Sequence, residues 1–124
     1  MCSVSLEPPT LLVSLRAESP TLAAILARGE FAVNLLHDGA QDAAEFFASG
    51  RSDRYDNVRW QFRSDDAGPH LRDDAHAIAD CQLRNPLLVG DHMVVIGEIY
   101  RVTQQPYWRP LLYGFRRYAS WPDA

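Results

Sequence analysis

The chain has 124 residues, 47% of them hydrophobic and 23% charged, with a formal net charge of −4 and a pI near 5.4. That length supports a single domain, 1–124, with one modest core, and the apolar share excludes a disordered chain. Like charges never run past pairs, which excludes a nucleic-acid stripe or polybasic membrane patch; no apolar run can span a bilayer, and Met1 to Pro9 lacks the order of a secretory signal.

Thr10 to Arg16 is a short apolar run bounded by Pro8-Pro9 and Pro20, and it predicts a strand. Ser19 then offers an N-cap, Pro20 fits the first helical position, and Leu22, Ile25 and Leu26 make an apolar stripe that Gly29 ends. Phe31 to Leu36 predicts a second strand. Gln41 to Ala48 predicts a short helix with Ala44 and Phe47 on one side, closed by Gly50. Arg51 to His70 is polar and turn-rich with one strand-like piece, "VRWQF", and reads as a surface excursion beside a working site. Ala75 to Val89 and His92 to Thr103 are long β-prone runs joined at Gly90-Asp91, a hairpin turn, and Leu111 to Ala119 predicts a last strand. The order β-α-β-α followed by a meander predicts a mainly β fold with two or three short helices (α+β), a small barrel with helices packed against it. Two cysteines, Cys2 and Cys81, are too few for a disulfide scaffold. They read as free thiols of a reducing, cytoplasmic compartment, with Cys81 a small buried strand residue.

Several patterns bear on chemistry. The stretch "SLRAESPTLAAI", Ser14 to Ile25, sets Arg16, Ser19 and Thr21 at a helix start. Such a start presents unpaired N–H groups and about half a positive charge, so a phosphate docks there, with two hydroxyls and a guanidinium to help. On spacing alone, Ser19 reads first as an ordinary cap. In "CSVSLEPP" the small side chains of Ser3 and Ser5 let a planar ring approach the backbone, and alternation points the two serines to one face. The alternative is a plain strand-to-turn segment. Asn34 is a polar residue within an apolar strand, and its amide needs partners: sheet-edge backbone or a ligand. His92 beside the Gly90-Asp91 turn is by itself a surface residue. His37, His70 and His76, near Asp38, Asp73 and Asp74, lack HxH, HExxH or CxxC spacing, so no metal is expected. GxGxxG, Walker A and GxSxG motifs are missing too, against a Rossmann dinucleotide site, an NTPase and a Ser hydrolase.

Six segments in order carry a resemblance: "SVSLEPPTLLVSL", "SPTLAAI", "GEFAVNLL", "FASGRSDRY", "VGDHMVVIGEI" and "PLLYGFRRY". Together they resemble the flavin reductase-like family with the FMN-binding split barrel, the short-chain reductase partners of two-component flavin monooxygenases. The resemblance implies a split β-barrel that here lacks its N-terminal strands, since relatives carry residues ahead of the "SVSL" segment. It implies an NAD(P)H:flavin oxidoreductase that supplies reduced FMN or FAD to a partner monooxygenase by diffusion, works as a homodimer, and needs no side-chain nucleophile. Its alternatives are a flavin-binding protein without turnover and an inactive truncated fragment. Carried onto this chain, flavin binding falls to Ser3, Val4, Ser5, Ser14, Leu15, Arg16, Ser19, Thr21 and Asn34. His92 falls to the nicotinamide nucleotide, and Tyr113 and Tyr118 become walls of the site.

Overall fold

The structure, a computed structural model, describes residues 1–50, 53, 55, 56, 58–107 and 109–122. The strands are β1 (Cys2–Leu6), β2 (Pro9–Arg16), β3 (Glu30–Leu36), β4 (Ala75–Val89), β5 (His92–Gln104), β6 (Leu111–Gly114) and β7 (Arg117–Ser120). Two helices, α1 (Pro20–Arg28) and α2 (Gln41–Ala48), flank β3 in the chain order. Chain contacts divide it into two units, Met1–Val33 with Ala79–Val102, and Asn34–Ile78 with Thr103–Ala124, so that β3, β4 and β5 each run from one unit into the other. No helix among the described residues is long and apolar enough to cross a membrane.

The first unit is built on an open antiparallel sheet whose order is β1-β2-β5-β4-β3. Strand β2 pairs with β5 in an unbroken register from Thr10↔Glu98 to Arg16↔His92. Alternation then sorts the side chains: Leu11, Val13 and Leu15, with Val95 and Met93 across from them, join Leu22, Ile25, Phe31, Ala79 and Cys81 in one apolar cluster. The even-numbered residues of β2, Ser14 and Arg16 included, and His92 of β5 point to the other face. Gly97 sits opposite Leu11 because nothing larger fits: a Cβ there would lie 2.5 Å from the Phe31 ring and 2.9 Å from Cys81 Cβ. Helix α1 follows the sequence reading in its caps and in burying Leu22 and Ile25, but Leu26, expected in the same stripe, is 42% exposed. Ser19 caps it, Pro20 opens it, and Gly29 closes it at φ +77° with its N–H bonded to the Ile25 carbonyl. Cys81 is fully buried, as the alternating run predicts.

At β1 the sequence reading needs correction. A bulge between Ser3 and Ser5 sets Ser3 opposite Leu11 and Ser5 opposite Thr10. Directly opposed residues share a face, so the two serines point to opposite faces, because one extra residue reverses the alternation.

In the second unit, α2 occupies the predicted residues, with Ala43 buried and Ala44 and Phe47 half-buried beside it. The "VRWQF" piece does not form a strand; only Gln61 bridges, to His70. Nor is the whole excursion on the surface. Asp66, Ala67, His70 and Leu71 are buried, because local bonds satisfy the backbone there: Asp66 Oδ2 accepts from Arg63 N–H at 2.9 Å, and the Asn34 amide clamps the segment. The predicted final strand, Leu111 to Ala119, is a hairpin instead. Strands β6 and β7 join through Phe115 and Arg116, both left-handed (φ 52° and 58°), and no Gly or Asn at those positions announces the turn.

Candidate functional site

The junction between β2 and α1 is drawn together by backbone bonds. Ser19 N–H donates to the Arg16 carbonyl at 2.9 Å, making a tight turn, and Ala17 N–H donates to the Asp91 carbonyl at 2.9 Å. The second bond ties the helix start to the β4–β5 turn, where Gly90 takes φ +60°. The register places Arg16 directly opposite His92. One small region therefore gathers Ser14, Arg16, Ser19, Thr21, Asp91 and His92.

Its charges are mixed: the helix start and Arg16 are positive, and Glu18 and Asp91 are negative. Helix α1 has no acidic residue in its first turn, so the positive end of its dipole is left for something else to answer. Ser19 Oγ accepts from Leu22 N–H over a long 3.4 Å, a weak cap. Arg16 is exposed and pairs with Glu18 at 3.0 Å, a surface bridge that a phosphate can displace at small cost. His92 Nδ1 lies 2.8 Å from Asp91 Oδ1. The hydrogen bond from His92 holds the Asp91 carboxyl below its usual range, and the His92 and Arg16 charges add to that.

The remaining sequence-predicted residues divide. Val4, in the bulge, is 52% exposed, and Ser3 is exposed beside it. Leu15 turns its side chain to the core, so only its backbone faces outward. In the second unit, Tyr113 and Tyr118 face each other across β6 and β7 with ring centroids 5.0 Å apart. Asn34, also there, has both ends of its amide in use: Nδ2 donates to the Pro69 carbonyl at 3.0 Å and Oδ1 accepts from Leu71 N–H at 2.9 Å. Of its two possible partners, the geometry fills the backbone one. The "FASGRSDRY" segment lies partly outside the described residues, at Arg51, Ser52 and Arg54.

Buried charge is what sequence reasoning missed. In the first unit Asp80, fully buried, takes both Nε and Nη2 of Arg101 at 3.0 and 2.9 Å. In the second unit His70 and Asp66 approach to 3.7 Å, both almost inaccessible. Asp80 alternates with the core residues Ala79 and Cys81 and falls on the other face, where alternation forecasts no burial, and nothing local marks Asp66 or His70. His37 is settled by its bonds: Nε2 lies 2.6 Å from the Asp73 carbonyl, which can only accept, and Nδ1 accepts from Gly39 N–H. Its ring is a structural brace.

The described residues form a mainly β fold with two helices, and the start of α1 stands beside a histidine turn. The chain belongs to the flavin reductase like domain family, which it matches over residues 1–122. It is 46% identical over 121 residues to a flavin reductase (NADPH) of Lentzea aerocolonigenes, covering 98% of this chain and 70% of that one. It is 42% identical over 122 residues to a flavin reductase (NADH) of Kitasatospora aureofaciens, covering 98% and 64%. Among solved structures, the NADH:FAD oxidoreductase of Streptomyces globisporus C-1027 in complex with NAD and FAD fragments superposes with a TM-score of 0.87 at 28% identity, covering 98% and 73%. The chain thus spans about two thirds of the length of these relatives.

Proposed function

We propose that the chain is an NAD(P)H-dependent flavin reductase that supplies reduced FMN or FAD to a partner monooxygenase. The observation that carries this is the start of α1, with no acid in its first turn and bonded through Ala17 to the His92 turn. Family membership supports it, as do relatives named for NADPH- and NADH-dependent flavin reduction and a structural neighbour that holds NAD and FAD fragments. The residues fit a flavin phosphate: Ser19 and Thr21 at the helix start, Arg16 from the strand end, and Ser14 on the same face. Ser5, on the face of Thr10 and Ser14, borders the ring with Val4 at the bulge beside it, while Ser3 points to the other face.

A bound flavin supplies hydride acceptance from reduced nicotinamide. The chain's part is to hold and orient. Arg16 and the helix start fix the anionic tail, and His92 offers a hydrogen bond to the nicotinamide nucleotide. No side chain acts as a nucleophile.

The family match across 1–122 supports treating 1–124 as one domain. A homodimer fits the exposed apolar side chains of β1 and the end of β4, Val4, Leu6, Leu87, Leu88 and Val89, which a second copy would cover. The free thiols of Cys2 and Cys81 suit a reducing cytoplasm. The test is anaerobic mixing of the purified chain with FMN or FAD and then NADH or NADPH. Bleaching of the flavin's visible band at catalytic protein concentration is expected. Flavin binding without bleaching by either nucleotide would contradict the reductase reading.

A further inference from the structure

The second unit has a cleft of about 510 Å³ lined by Val58, Arg59, Trp60, Gln61, Arg72 and Asp73, within the size range of small-molecule sites. We propose that it binds an adenosine 5′-phosphate group, the adenylate half of a dinucleotide; this deepens the reductase reading and rests on it.

The cleft is built. Its two walls, 58–61 and 72–73, are pinned by a pair of bonds between Gln61 and His70, N–H to carbonyl at 3.0 and 2.7 Å. The Asp73 carbonyl is held by the His37 ring at 2.6 Å. Trp60 is 49% exposed and is backed edge-on by Tyr55 (centroids 5.8 Å), which is backed in turn by Phe47 (5.0 Å). The indole is thus a supported platform for a flat heteroaromatic ring, and bases stack on such platforms whatever their sequence identity.

The charges select an anion. Arg59 and Asp73 pair with each other at 3.2 Å and cancel. Arg72 has no such answer. Among the described residues it makes no ion pair, and its Nε is buried without a hydrogen-bond partner. A guanidinium at the wall of a cleft and left without a carboxylate is matched by a phosphate. An indole beside one uncompensated guanidinium recognises a base joined to a phosphate better than either alone.

Two molecules of the proposed reaction carry that group, FAD and the nicotinamide dinucleotide, and the experiment separates them. Calorimetric titration of the full chain with AMP, adenosine and inorganic phosphate is expected to show AMP binding more tightly than either half. Arg72→Gln is expected to weaken AMP about tenfold and Trp60→Leu about fivefold, the scale of a lost charge-assisted bond and a lost stack. FMN, which lacks the adenylate, is expected to bind both variants as it binds the native chain. A rise in the FAD dissociation constant in Arg72→Gln assigns the cleft to the flavin; a rise in the NADH KM with either flavin assigns it to the nicotinamide nucleotide. Should Arg72→Gln not fold by circular dichroism, Trp60→Leu and Arg72→Lys carry the same comparison. Folded variants that keep AMP, FAD and NADH constants within about twofold of native would overturn the proposal, as would a native chain that binds AMP no better than phosphate. Failure of the reductase reading looks different: flavin left unbleached while AMP still binds.

Discussion

Two hairpins with two-residue turns close two parts of this chain, and the turns are made differently. The β4–β5 turn uses Gly90 and Asp91, with Gly90 alone at positive φ, the residue that suffers least there. The β6–β7 turn places Phe115 and Arg116 in the left-handed region, and Phe115 is 98% exposed. The first turn is tied to the start of α1 through the Asp91 carbonyl and is cheap to form. The second holds strained residues that no burial compensates. A hairpin without turn chemistry survives when its flanking contacts fix it, here the Tyr113–Tyr118 ring pair and the bond from Ser120 Oγ to Asp38 Oδ2 at 2.8 Å.

The largest effect is expected where charge is buried in the first unit. Arg101→Leu leaves Asp80 without its guanidinium in a fully buried position, and denaturant unfolding should show a loss of about 3–5 kcal/mol. Next comes Gly97→Ala, whose new methyl meets Phe31 and Cys81. A loss of about 1–3 kcal/mol is expected, and a neutral result would mean the first unit packs more loosely than described. Smaller and of opposite sign is the turn swap Phe115→Asn with Arg116→Gly, which should raise stability by about 1 kcal/mol by relieving left-handed strain. The same swap sharpens the contrast between hairpins, since the β4–β5 turn has no such gain to offer.

The smallest effect near neutrality is pH-dependent. Burial pushes the Cys81 thiol from 9.0 up to about 12, with the Asp80 charge adding to the shift. The native state therefore holds that proton more tightly than the unfolded chain. The stabilisation this gives is fully present below pH 9 and is lost as pH rises through about 12. Thiol alkylation of the native protein at pH 8 should label exposed Cys2 and spare Cys81, with the second label appearing on unfolding.

Much of the first unit was legible because its signals are local. Ser19-Pro20, Gly29 and Gly90 each fix one backbone conformation, and the bounded apolar run from Thr10 to Arg16 marks β2. The bulge at Val4 was not legible, since the extra residue shows only against its partner strand. The second unit resisted for the same reason at larger scale. Asn34 is polar because it clamps Pro69 and Leu71, partners 35 and 37 residues away. The burial of Asp66 and His70 follows from that clamp, and Phe115 and Arg116 contradict turn propensity outright. In the candidate site, Arg16, Ser19 and His92 were readable as a helix start and a turn. Their meeting through Ala17 and Asp91 was not.

If the strand-to-helix crossing grips a phosphate, riboflavin, which has none, is the control. Titrations of FMN and riboflavin against the native chain and the double variant Arg16→Gln with Ser19→Ala decide it. The native chain is expected to prefer FMN, and the variant to lose FMN affinity about tenfold or more while riboflavin binding stays put. Equal affinity for FMN and riboflavin in the native chain, or a folded variant that binds FMN undiminished, would contradict it.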